Sequence, residues 1–125
     1  MKRNLLALGI FFGLAAYLPA QAPNPFVGKW KVQWQAKTQM ANAEMRITET
    51  GGTWQTFARS KNDGCVGIEV KIHIESISPN SLNAKLKFSE ALAGCTDATI
   101  SLRTNDDGTV SGQRGKVDLI LERSQ

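Results

Sequence analysis

Residues that do chemistry are scarce in this sequence. There is one histidine, His73, in 125 residues, and there are two cysteines, Cys65 and Cys95. A zinc centre needs several Cys or His ligands at short spacing, so no metal site is expected. His73 falls between Ile72 and Ile74 on the polar side of an alternating segment, where a lone imidazole reads as a solvated residue. No Ser/His/Asp arrangement is indicated around it. Glycine-rich phosphate cradles need a helix after the loop, and no helical periodicity follows any glycine cluster. Glu44, Glu69, Glu75, Asp97 and Asp118 are the candidates for a carboxylate pair, but they fall on outward faces or strand ends. Nothing in their spacing would split their pKa values into an acid and a base. No catalytic residue and no cofactor is therefore expected.

Charge of one sign is also in short supply. The formal charge is +4, and Lys2 and Arg3 account for half of it. The rest of the chain carries +2 with acids and bases interspersed, which is weak support for a polyanion partner. Lys29 and Lys31 alternate with Trp30 and Trp34, so cations and stacking rings face opposite sides and nucleic acid is not expected.

Long hydrophobic runs are limited to one. Met1-Lys2-Arg3-Asn4 is followed by an uncharged stretch from Leu5 to Leu18, then Pro19, Ala20 and Ala22. A positive start, a short apolar core and small residues form the tripartite pattern of a signal peptide. The run falls short of the ~20 residues of a bilayer span, so no stable membrane anchor is expected. Cleavage is expected after Ala20, with Ala22 as the competing site. That gives a signal peptide at 1–20, an extended proline-containing lead-in at 21–25 and one domain at 26–125, in a periplasmic or secreted protein. In that compartment Cys65 and Cys95 most simply form one disulfide.

From Phe26 onward the dominant feature is alternation broken by turn signals. Phe26, Trp30, Val32 and Trp34 share one face against Val27, Lys29, Lys31 and Gln33. Ala41, Ala43, Met45 and Ile47 repeat the pattern, and Gly51-Gly52 then marks a hairpin. Thr53 to Arg59 reads as a third strand in which Trp54 and Phe57 are out of phase, so a bulge or an outward aromatic is expected. The cleanest alternation runs from Val66 to Ile74. Leu82 to Phe88, Ala98 to Arg103, Val110 to Gln113 and Lys116 to Arg123 complete the set, the last with Val117, Leu119 and Leu121 inward. Asn105-Asp106-Asp107-Gly108 is a hairpin turn, and Ser89 to Gly94 has room for one helical turn. About eight short antiparallel strands with one apolar face predict an all-β domain, an up-and-down β-barrel with a β-sandwich as the alternative.

The trio Gly28-Lys29-Trp30, echoed by Gly52-Thr53-Trp54, resembles the Gly-x-Trp opening of calycins, the lipocalin and avidin type of small barrel. The resemblance implies an eight-stranded barrel. The later lipocalin motifs and the biotin-binding residues of avidins have no counterpart, so it implies no ligand.

These features favour a non-enzymatic exported protein that acts by binding. The leading expectation is a protein partner, in the manner of an inhibitor or immunity protein, met by Trp54, Phe57, Arg59 and the Lys61–Gly64 loop. The alternative is a carrier that holds a small apolar ligand inside the barrel beside Trp30 and Trp34, and a carboxylate hydrolase comes third. A filled interior is favoured over a hollow one.

Overall fold

A computed structural model describes residues 24–57 and 63–124. The expected signal peptide, residues 21–23 of the lead-in, Arg59, Lys61 and Asn62 lie outside the described residues. Eight antiparallel strands form among those described: β1 (Gly28–Ala36), β2 (Gln39–Ile47), β3 (Gly52–Thr56), β4 (Glu69–Ile77), β5 (Ser81–Leu86), β6 (Ala98–Thr104), β7 (Val110–Arg114) and β8 (Val117–Arg123). A single helical turn, α1 (Phe88–Ala91), lies between β5 and β6. Each strand pairs with the next, and β8 returns to β1 through Trp30 opposite Arg123 and Val32 opposite Leu121. The sheet is thus a closed barrel, not a sandwich, and closure leaves no unpaired edge.

The period of two explains the interior. Trp30, Val32 and Trp34 of β1 point inward and meet Ala43, Met45 and Ile47 of β2, Val70 and Ile72 of β4, Leu82, Ala84 and Leu86 of β5, and Ile100 and Leu102 of β6. They form one continuous cluster along the barrel, each large side chain worth about 1.5–3 kcal/mol of burial. Gly52 opens β3 where a Cβ would collide with the carbonyl oxygen of Arg46, so the hairpin demands glycine there.

The structure departs most from the sequence reading at three points. β3 stops at Thr56 and pairs with β2 in unbroken register, so no bulge is present. Trp54 and Thr56 keep the inward phase, and Phe57, one residue past the strand, turns outward. β4 begins at Glu69, not Val66. Asp63 and Val66 close a turn, and Gly67 takes a φ of +91°, which breaks the extended run before the ladder starts. Val117 is in phase with the interior but 43% exposed, because it stands opposite Arg114 at the tip of the β7–β8 hairpin, beyond the packed core.

Candidate functional site

The two ends of the barrel are built differently. At the first, β1 starts and β8 finishes. The Trp30 indole N–H donates to the carbonyl of Phe26 at 3.0 Å, and both side chains are buried. The Arg123 guanidinium lies 4.3 Å from the centre of the Trp30 ring and donates to the carbonyls of Val27 and Pro25. Gly28 makes room for it: a Cβ there would come within 2.8 Å of Arg123 Nη1, at a φ of +144°. This end is closed over by packed side chains, with Trp30 3% exposed.

The second end is open. It gathers the β1–β2 hairpin, the end of β3, residues 63–66 ahead of β4, α1 and the end of β7 around a cleft of about 470 Å³. Trp34 and Phe88 lie at its base, Ala36, Met40 and Ala41 form one wall, and Phe57, Cys65 and Val66 another. Trp34 packs against Trp54 with ring centres 5.7 Å apart, and the Trp54 indole N–H donates to the Thr56 hydroxyl at 2.8 Å. Trp54 is 0% exposed, so the expectation that it meets a protein partner on the surface is corrected: it is part of the core beneath the mouth. Phe57, 48% exposed, is the aromatic that reaches the surface from this segment. Arg59 lies outside the described residues.

Arg114 was not among the expected site residues. It ends β7 opposite Ile100, in phase with buried Val110, and so enters the mouth from the inner face. Its guanidinium carbon lies 5.5 Å from the Trp34 ring centre, 5.7 Å from that of Trp54 and 5.3 Å from that of Phe88, all within cation–π range. Burial pushes it below its ordinary pKa, although an arginine stays charged. Alternation from Val110 through Gly112 pointed to this placement. A cation beside Gly115 in a turn reads instead as solvated.

The rim is braced. Cys65 and Cys95 form a disulfide that joins the β3–β4 loop to the segment between α1 and β6. In that segment Asp97 accepts hydrogen bonds from the Ser89 N–H at 2.9 Å and hydroxyl at 2.7 Å, and Lys87 stands 3.3 Å away. These contacts, the Ser89 bonds foremost, lower the Asp97 carboxyl to about 2, and the carboxylate in turn raises Lys87 above its ordinary value.

The other candidate acids are scattered over the outer surface. Glu44 pairs with Lys29 at 3.2 Å, Glu75 with Lys85 at 3.9 Å, and Asp118 accepts from Gln113 at 2.9 Å. Glu44 and Glu69 share a shallow outer depression, on either side of Gln55. His73 sits outside, opposite Lys85. Among the described residues no three His, Cys, Asp or Glu side chains gather as metal ligands would.

No protein-family model, no curated protein and no solved structure matches this chain.

Proposed function

We propose that the protein is an exported, non-enzymatic binding protein that takes a small ligand with an apolar body into the mouth of the barrel. One observation carries this reading. Trp34 lies at the base of a cleft of about 470 Å³ whose walls are mostly apolar, in a barrel whose axis is occupied by its own side chains. A concave, largely apolar pocket with few polar groups is the usual form of a small-molecule site. The ligand thus belongs at the mouth, not deep inside beside Trp30. Export is supported by the signal-peptide pattern of the first residues and by the disulfide.

A second reading places a protein partner on the outer face of β8, β1 and β2. Phe57 and Ile120, which is 59% exposed, flank a groove of about 410 Å³ there, with Lys31, Glu44 and Glu122. Exposed apolar side chains ringed by charge are the surface form of a contact site.

One titration separates the two. Small apolar aromatics such as naphthalene derivatives are expected to quench the tryptophan emission of the protein saturably. Ala41→Phe, which fills the mouth, should weaken that quenching by about tenfold or more, the loss of roughly 1.4 kcal/mol. Ile120→Lys should leave it unchanged. No saturable quenching across a broad panel would remove the mouth reading, and loss of a captured protein partner in Ile120→Lys alone would favour the outer groove.

A further inference from the structure

We infer that Arg114 makes the mouth an anion-selective site, whose ligand is a small organic anion: one carboxylate or sulfonate carried on an apolar body. This rests on the reading of the mouth as the binding site and adds the chemical class of its ligand.

The inference starts from a contrast between two arginines. Both stack on tryptophan at an end of the barrel. Arg123 satisfies its guanidinium with the carbonyls of Val27 and Pro25. Arg114 has no such partners: among the described residues its side chain makes no hydrogen bond and no ion pair. A guanidinium carries five N–H donors in a rigid fork. The rings of Trp34, Trp54 and Phe88 attract its charge but offer no lone pair to that fork. None of the Arg114 nitrogens is sealed off without a partner, so the fork stays open to what enters the cleft. The two oxygens of a carboxylate, or two of a sulfonate's three, entering the cleft would meet its donors two at a time, in the bidentate geometry of arginine–oxyanion pairs.

The surrounding charges agree. Lys37 lies on the same cleft and adds a second cation. The carboxylate that also lines it, Asp63, is exposed, and one of its oxygens accepts from the Cys65 N–H at 2.9 Å. Ala36, Met40, Ala41, Phe57 and Val66 leave apolar wall for the rest of the molecule. One fixed cation at the base and apolar sides above select an amphipathic anion over an apolar neutral molecule and over a bare inorganic ion.

The test compares two probes that share one ring system, 1-naphthoate and 1-naphthalenemethanol. Calorimetry and tryptophan quenching would follow both on the oxidised protein. The naphthoate is expected to bind roughly ten- to hundredfold more tightly, the range a charge-assisted hydrogen bond spans. Arg114→Gln should abolish that preference, bringing the affinities of the two probes to within about threefold of each other. Arg114→Lys, which keeps the charge and loses the fork, should cut the preference by at least about threefold, and it decides the matter if the glutamine variant does not fold. Equal affinity of the two probes in the native protein overturns the inference, as does a preference that survives unchanged in the variants. If the alcohol binds and Ala41→Phe weakens it, the mouth remains a binding site and only its anion selectivity is lost. If neither probe binds, both readings fall together.

Discussion

Asp97 shows how much of the mouth's architecture hangs on single side chains. Its carboxylate ties Ser89, at the start of α1, to the residues that follow Cys95, and Lys87 leans on the same group. The pKa lowered to about 2 gives the link a pH signature. A carboxyl held below its ordinary value stabilises the fold fully above that value, near pH 4, and loses the contribution as pH falls towards 2. Thermal melts of the native protein between pH 5 and 2 should therefore show an acid-dependent drop in Tm. Asp97→Asn should start from a lower Tm at neutral pH and show a smaller drop over that window. A full-sized drop in the variant would assign the acid sensitivity to other groups.

Trp54 and Arg114 mark the limit of what single residues disclosed in advance. Trp54 is in phase with Thr56 and is core, which needed only the strand end at Thr56 to be known. Phe57 blurred that phase. Arg114 lies on the inward parity of β7, but its charge and the neighbouring Gly115 point to a solvated turn. Its position against three rings depends on Phe88 and Trp34, which are remote in sequence. Of the expected contacts, Trp34 and Phe57 line the mouth, and Trp34 was the more legible because both its phase and its strand were regular.

At the scale of elements, regular alternation was a dependable guide and glycine set its limits. β1, β2, β5 and β6 fall where the two-residue period placed them, and the single turn α1 falls within a residue of the expected stretch. β4 does not, because the positive φ of Gly67 and the loop anchored at Cys65 hold Val66 to Ile68 out of the ladder. Ile68 still packs against the core, which is why its segment alternates like a strand. The disulfide spans a separation of 30 residues and connects the two rim segments that no strand pairing joins. By loop closure it is worth about 3–4 kcal/mol. The double variant Cys65→Ser, Cys95→Ser should lose about that much in urea unfolding. A loss below about 1 kcal/mol would mean that the rim is held by Asp97 and packing alone.

At the scale of the molecule, the barrel separates stability from recognition. One end is sealed by Trp30, Phe26 and Arg123, the middle is occupied mainly by aliphatic side chains, and the two longest connections, β3–β4 and β5–β6, lie at the other end, where the cleft is. Loops on a rigid scaffold are where binding usually resides. Closure, strand number and the disulfide followed from composition and pattern. The open mouth did not, since it depends on how far each hairpin overshoots the packed core.

The three tryptophans place a reporter at each end of the barrel, and their indole N–H resonances offer the most direct test of where a ligand sits. Trp34 lines the mouth, Trp54 lies beneath it bonded to Thr56, and Trp30 is bonded to Phe26 at the sealed end. In a titration of the isotope-labelled protein with 1-naphthoate, binding at the mouth predicts that the Trp34 and Trp54 signals move together and saturate while Trp30 stays fixed. Movement of Trp30 in step with the others, or no movement of Trp34, would contradict it.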